Sequence, residues 1–166
     1  MTTHRFRGDT SRFEVVAEFI ADRFGRSVRY IADVAGGQGM LSRVLNKRHG
    51  YEAEVVDPRG WALRGVKARA ASFDSNDASY YDLIVGLHPD EATRAVVEAA
   101  SIRPAVLVPC CNFWDRSKRL GRNALIDAIA DYYREHDVLA DVIDLGFRGP
   151  MNKSLVSTPP GARSSV

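Results

Sequence analysis

The segment at residues 33–39, Asp-Val-Ala-Gly-Gly-Gln-Gly, is the part of the chain best suited to hold a small molecule. It joins an apolar run at 30–34 to a helix-like pattern at 40–49, which predicts a glycine-rich turn between a strand and a helix. Glycine adopts positive φ angles and has no Cβ to collide with a ligand, and the helix that follows presents N–H groups at its start. The same turn could also be no more than a tight connection. Its glycines are Gly36, Gly37 and Gly39.

An acidic residue after the next strand-like run makes the turn more specific. Asp57 ends the run at 53–56 and lies 24 residues after Asp33. A carboxylate at that place can accept hydrogen bonds from both hydroxyls of a ribose. The two features together predict a cofactor that contains a nucleoside.

Residues able to take part in chemistry also follow the later strands of the pattern. His88 comes after a strand at 82–85, where an imidazole could orient or deprotonate a hydroxyl or amine. It could instead satisfy backbone groups ahead of a helix at 90–100 that has Asp90 as its N-cap.

The loop after the fifth strand combines two thiols, an amide and two aromatic rings. Asn112 could accept a hydrogen bond from a target amine, while Phe113 or Trp114 stacks on a planar base. Alternatively, Cys110 and Cys111 are buried as small apolar groups and the rings pack in the core. No histidine has ligand-like spacing to the cysteines, so no metal is expected.

Composition limits the class of protein. With 166 residues and a net charge of +2, the chain fits one domain over residues 1–158, and its surface is not that of a general nucleic-acid binder. The adjacent cysteines, and the lack of an apolar run long enough to span a bilayer, predict a cytoplasmic protein that does not enter the membrane. Residues 159–166 are rich in proline, glycine and serine, which predicts a disordered tail.

Hydrophobic periodicity predicts an α/β fold. A leading helix near 11–24, with a capping box at Ser11 and Glu14, precedes alternating strands and helices. Such alternation favours a parallel sheet covered on both faces, and the last two strands, at 138–145 and 154–157, are too close in sequence for a crossover helix. The expected elements between them are strands at 30–34, 53–56, 68–73, 82–85 and 105–108, and helices at 40–49, 61–65, 90–100 and 121–136.

The register of residues 33–39 resembles the Asp/Glu-x-Gly-x-Gly-x-Gly signature of class I S-adenosylmethionine-dependent methyltransferases. Asp33 supplies the acid, and Ala35 stands where that signature has its first glycine. The resemblance covers residues 9–158 and implies a Rossmann-like three-layer α/β/α sandwich with a seven-stranded, mostly parallel sheet and an antiparallel C-terminal strand. It implies S-adenosylmethionine as cofactor, with Phe73 and Asp74 placed to contact the adenine. The cofactor residues it implies are Asp33, Ala35, Gly36, Gly37, Gly39, Asp57, Phe73, Asp74, Gly86 and Leu87.

A narrower resemblance is to the methyltransferase domains of a group of tRNA 2′-O-methyltransferases. It rests on Leu41-Ser42 after the glycines, on Ala92-Thr93 downstream of His88, and on the Cys110-Cys111 pair. In that group histidines follow the cysteines, whereas Asn112 and Phe113 follow them in this chain.

These features predict transfer of a methyl group to an oxygen or nitrogen acceptor, with His88 and Asn112 orienting the acceptor. RNA is one candidate acceptor, because basic residues that could contact phosphates follow the fifth-strand loop and also lie near the N-terminus. A solvated basic helix start is the simpler explanation of these basic residues. A small-molecule methyltransferase and a non-catalytic cofactor- or RNA-binding module are the alternative functions. The substrate residues expected are Cys110, Cys111, Phe113, Trp114, Arg116 and Arg119, with Lys118, Arg122, Arg5, Arg7 and Arg12 as further phosphate contacts.

Overall fold

A seven-stranded sheet forms the centre of the computed structural model, which describes residues 9–149 and 151–162. The strand order is β3-β2-β1-β4-β5-β7-β6, with β1 to β5 parallel and β7 antiparallel to both β5 and β6. The predicted fold class is therefore confirmed. The strands are β1 (Tyr30–Val34), β2 (Glu52–Val56), β3 (Ala68–Arg69), β4 (Leu83–Leu87), β5 (Ala105–Val108), β6 (Leu139–Asp144) and β7 (Lys153–Thr158).

Four α-helices cover the two faces of the sheet. Each is amphipathic, as its sequence periodicity predicts, and buries one apolar stripe. Helices α1 and α2 pack with Ile31, Leu83 and Val85 in one core, and α3 and α4 pack with Ala32 and Ile84 in the other. The alternation of neighbouring strand residues between the two cores is that of a sheet buried on both sides. The helices are α1 (Arg12–Phe24), α2 (Met40–His49), α3 (Thr93–Ala99) and α4 (Arg122–Glu135), with short 3₁₀ segments at Gly25–Ser27, Ser75–Tyr80 and Asp90–Ala92.

The helix predicted at 61–65 is wrong, because this segment is an extended loop with turns. It is flanked by Gly60 (φ 66°) and Gly65 (φ 81°), both outside helical geometry. The Leu63 N–H donates to the Gln38 carbonyl at 2.9 Å, so the loop is bonded to the glycine-rich turn. A tertiary hydrogen bond here replaces the local helical one.

Several predicted boundaries also differ. The capping box is wrong: the Ser11 side chain makes no cap bond, and the Asp9 carboxylate accepts the Ser11 N–H instead. The strand at 68–73 is reduced to two residues, and the helix at 90–100 begins as a 3₁₀ turn. Asp90 is not the N-cap of that turn; it lies inside it at φ 47°, after Pro89.

Two predictions concern the ends of the chain. Arg5 and Arg7, and residues 163–166 of the predicted tail, lie outside the described residues. Within 9–149 and 151–162, none of the helices is both long and apolar enough to cross a bilayer.

Candidate cofactor and active site

A cleft of about 700 Å³ lies at the carboxyl edge of the sheet, around the ends of β1, β4 and β5. The chain runs from β1 outward to β3 and then back to β4 beside β1, so the strand order reverses at this point. Such a switch point is where open α/β sheets bind ligands, and the volume suits a cofactor-sized molecule. The lining residues are Arg12, Phe13, Asp33, Ala35, Gly36, Gly37, Gln38, Leu41, Arg59, Trp61, Leu87, His88, Asp90, Cys110 and Cys111.

Two glycines of the turn are required by close packing. A Cβ on Gly36 would lie 2.5 Å from Cγ of Asp33. A Cβ on Gly39, which has φ 78°, would lie 2.7 Å from side-chain atoms of Val55 and Val66. The turn therefore sits directly over the Asp33 carboxyl, and its main chain forms part of the wall of the cleft.

Asp33 ties this turn to the start of α2. Its Oδ2 accepts hydrogen bonds from the Ser42 N–H (3.2 Å) and the Ser42 hydroxyl (2.9 Å). Burial raises the pKa of Asp33 to about 6; the nearby charge of Asp57 adds to this rise, and the Ser42 bonds oppose it. At pH 7 the carboxylate is thus a buried charge with no cationic side chain bonded to it among the described residues.

We expect Asp33→Asn to stabilise the protein at pH 7, by on the order of 1–3 kcal/mol, because it removes a buried charge and keeps an oxygen for Ser42. The pKa of Asp33 is about 6 in the folded chain against an ordinary 3.8. The stability that its protonated carboxyl contributes is therefore fully present below pH 3.8 and is lost as pH rises through 6. Urea unfolding at pH 4.5 and pH 7 measures the difference. A wild type whose free energy of unfolding does not fall over this range, or falls equally in the variant, would contradict the assignment.

Asp57 lies immediately behind the cleft, with 2% of its side chain exposed. Its Oδ2 accepts from the Gly37 N–H (2.9 Å) and from Nη2 of Arg59 (2.6 Å). Its Oδ1 accepts from the N–H and from Nε of Arg59, both at 2.9 Å. Burial alone would raise the pKa of Asp57, but the bonds from Arg59 and Gly37 outweigh it and hold the pKa below its ordinary value.

His88 faces the other half of the cleft, with its imidazole held by the segment before β7. Its Nε2 lies 2.9 Å from the Met151 carbonyl, and its ring meets Phe147 edge to face at 6.3 Å. Because a carbonyl only accepts, Nε2 carries the proton. Burial lowers the pKa of His88, so the ring is neutral at pH 7 and Nδ1 keeps its lone pair. No described residue donates to Nδ1.

Backbone strain is concentrated around the cleft. Four described residues other than glycine have positive φ, and three of them line the cleft: Ala35 (53°), His88 (52°) and Asp90 (47°). Such conformations cost on the order of 1–3 kcal/mol each and persist where the surrounding structure holds them. Here they aim the ends of β1 and β4 at the cleft.

The two cysteines line the same cleft as His88. Sγ of Cys110 donates to Oδ1 of Asp90 at 3.1 Å, and burial together with that carboxylate raises the pKa of the thiol. A thiol with a raised pKa stays protonated and is a poor nucleophile. No group of three or more potential metal ligands occurs among the described residues. Cys110 thus contributes a neutral thiol to the lining of the cleft.

Five predicted cofactor residues are not among those lining the cleft: Gly39, Asp57, Phe73, Asp74 and Gly86. Phe73 is buried in the core beneath α3 and α4. Asp74 is an N-cap, and its Oδ1 accepts from the Asn76 N–H at 2.8 Å. A Cβ on Gly86 would meet Pro89 and Val96, so this glycine permits the close approach of α3.

The loop after β5 places its polar and aromatic groups in contact with one another. Nδ2 of Asn112 donates to the carbonyls of Asp115 (2.6 Å) and Lys118 (2.8 Å), which uses both amide hydrogens within the loop. Trp114 packs against Tyr132, with ring centroids 4.9 Å apart. The structure does not bring these side chains into the lining of the cleft.

The predicted substrate residues Phe113, Arg116 and Arg119 also lie outside that lining. Arg116 stacks over Phe113 at 4.7 Å and pairs with Glu91 at 3.4 Å, while Arg119 is exposed. The Phe113 ring therefore already has a cation over it.

The sequence reasoning missed Arg59, Trp61 and Asp90 as cleft residues. Arg59 and Trp61 closely follow Asp57, and Asp90 follows His88 by two positions, so the rule that ligands meet the residues just after each strand could have found them. The incorrect helix at 61–65 concealed Trp61.

A second, smaller cavity of about 240 Å³ lies near the amino ends of β1 and β2. Its charged groups pair with neighbours, as in Lys67–Glu54 (3.6 Å) and Arg69–Asp77 (3.3 Å). The carboxyl edge, with its glycine turn, is the better candidate for a cofactor site.

No known family model and no curated protein matches the chain. Solved structures do match. A protein from Methanococcus maripaludis assigned as an S-adenosyl-L-methionine-dependent methyltransferase is 16% identical, with a TM-score of 0.55 over 93% of this chain and 87% of that one. The human methyltransferase 10 domain containing protein is 10% identical, with a TM-score of 0.66 over 93% of this chain and 84% of that one. A mutant of MtNAS in complex with S-adenosylmethionine is 14% identical, with a TM-score of 0.54 over 90% of this chain and 62% of that one.

The strand order and the antiparallel β7 agree with these neighbours. The chain has the class I methyltransferase fold. At 10–16% identity the likeness establishes the fold, and the activity must be argued from the cleft itself.

Proposed function

We propose that the chain is an S-adenosylmethionine-dependent methyltransferase. The observation that carries this proposal is a single cleft lined by the glycine turn, by Asp33 after β1 and by a neutral histidine after β4, with Asp57 bonded to the back of the turn at Gly37. The cradle fits a nucleoside cofactor, because Gly36 and Gly37 line the cleft without a Cβ, so a ligand can approach the main chain closely there. The fold supports the same cofactor.

The residues divide between two halves of the cleft. Gly36, Gly37 and Asp57 would hold the ribose side, and Asp33, ionised above its pKa of about 6, would face a cationic amino group. Trp61, 51% exposed at the rim and four residues after Asp57, is better placed than Phe73 or Asp74 to stack on the adenine.

His88 and Asp90 face the acceptor half. The cofactor, when bound, supplies an electrophilic methyl group on a sulfonium sulfur. The Nδ1 lone pair of His88 accepts the proton that the acceptor hydroxyl or amine loses, while Nε2–H stays bonded to Met151. Alignment of the acceptor supplies much of the remaining rate, so no strong base is needed.

The acceptor class stays a prediction. A small molecule or the exposed end of a polymer would each fit the cleft volume. The tRNA-like motif residues have local structural roles, since Ser42 bonds Asp33 and the Thr93 hydroxyl donates to the Asp90 carbonyl at 2.7 Å. Lys118 pairs with Asp115 at 3.4 Å, as Arg116 does with Glu91, so the basic loop by itself gives RNA no special support.

The deciding experiment is a transfer assay with methyl-labelled S-adenosylmethionine against small-molecule, RNA and protein fractions, alongside calorimetry with S-adenosylhomocysteine and NAD. We expect S-adenosylhomocysteine to bind, NAD not to bind, and label to appear in one fraction. Transfer to RNA that weakens steeply with salt would identify a phosphate-contacting substrate. Binding without transfer to any fraction would favour the non-catalytic alternative, and no binding would contradict the proposal.

A further inference from the structure

The Arg59 side chain occupies the carboxylate that the proposed cofactor needs. Its Nε donates to Oδ1 of Asp57 at 2.9 Å, and its Nη2 donates to Oδ2 at 2.6 Å, so the guanidinium bonds to both carboxylate oxygens. The guanidinium lies over the Trp61 ring at 4.8 Å and lines the cleft. This ion pair, Asp57–Arg59, is called the latch below.

The latch leaves Asp57 with no acceptor position to offer. A carboxylate accepts about four hydrogen bonds, two at each oxygen. The main-chain N–H groups of Gly37 and Arg59 take two of these positions, and the Arg59 side chain takes the other two. A ribose can bond to Asp57 only where the Arg59 side chain withdraws, because the two N–H groups are fixed by the backbone.

Withdrawal of the side chain is physically accessible. Arg59 is 44% exposed, so moving it breaks one ion pair and little packing. Asp90 lies across the cleft, and its charge already adds to the raised pKa of Arg59. The guanidinium thus has a second acidic neighbour within the same cleft.

We propose that Arg59 is an internal competitor of the cofactor, released from Asp57 when the ribose binds. This inference rests on the proposed function and adds to it a residue that sets cofactor affinity. Release would also turn a paired guanidinium into a free cation at the rim of the cleft, so that the cleft gains a positive charge as the cofactor enters.

The test compares Arg59→Met with the wild type by calorimetric titration of S-adenosylhomocysteine. Methionine keeps an apolar stem against Trp61 and removes every donor to Asp57. We expect the variant to bind about two- to fivefold more tightly, the range expected for loss of a partly exposed ion pair. Arg64→Met, which removes one positive charge from the same exposed loop, is the matched control and should bind as the wild type does.

A second measurement separates the latch from a structural effect. Because salt screens a half-exposed ion pair, the affinity gap between Arg59→Met and the wild type should narrow as salt rises from 0.05 to about 0.5 M. Equal or weaker binding by Arg59→Met, with the wild type binding normally, would overturn the latch and leave the proposed function standing. Binding by the variant alone would support both, and binding by neither would overturn both.

Discussion

His88→Gln should lower kcat for methyl transfer by about 10²–10⁴-fold, the range typical for loss of a positioned general base. Glutamine can place an amide N–H near the position of Nε2 and keep the bond to the Met151 carbonyl. It has no counterpart to the Nδ1 lone pair. Activity measured at saturating cofactor isolates this step from binding.

The pH profile gives an independent test of the same residue. Burial lowers the pKa of His88, so the wild-type kcat should fall only at a pH below the ordinary range of an imidazole, where the ring becomes protonated. The glutamine variant should lack this acid limb. A variant with unchanged kcat, or one that loses S-adenosylhomocysteine binding or its fold, would show that His88 is structural.

Asp57→Ala should weaken S-adenosylhomocysteine binding by roughly ten- to hundredfold, or ~1.5–3 kcal/mol, because the charged acceptor for the ribose hydroxyls is lost. Calorimetry on the folded variant measures the change. Asp74→Ala is the matched comparison, since this other predicted acid caps a 3₁₀ segment and bonds to Asn76, whereas Asp57 bonds to Gly37 of the turn. Unchanged affinity in Asp57→Ala, or a larger loss in Asp74→Ala, would contradict the division of the site.

The latch makes this effect depend on Arg59. In the wild type, Arg59 already competes with the ribose for Asp57. The affinity lost on Asp57→Ala is therefore smaller than the full contribution of the ribose bonds. In an Arg59→Met background, Asp57→Ala should lower the affinity for S-adenosylhomocysteine by a larger factor. The additional factor should equal the increase in affinity that Arg59→Met produces alone. A double-mutant cycle measures that coupling directly.

Much of the fold could be predicted because its signals are local. The apolar runs at β1 and β5 and the amphipathic α1, α2 and α4 carry their periodicity in consecutive residues, and the structure has them within a residue or two of the prediction. The errors cluster where tertiary bonds decide the backbone. The loop at 61–65 follows the Gln38 carbonyl, and the start of α1 follows Asp9, whose carboxylate also accepts from the distant Arg148 N–H.

The residues of the candidate site that directly follow a strand could also be predicted from the sequence. The glycine turn, Leu87 and His88 line the cleft because strand ends of a parallel sheet meet at one edge, which is a property of the topology. Residues later in each loop were not predictable in this way. Phe73, Asn112 and Trp114 have types suited to binding, yet packing turns them toward the core or the loop itself.

By itself, the sequence predicted the sheet edge that carries the cleft, and Asp33 and His88 as residues that line it, because spacing along the chain sets strand ends and turns. Only the tertiary structure decided the chemical state of those groups. Burial raises the pKa of Asp33, the Met151 carbonyl selects the proton position on His88, and Arg59 fills the acceptor positions of Asp57. Each of these depends on distances across the fold, and no pattern of neighbouring residues encodes them.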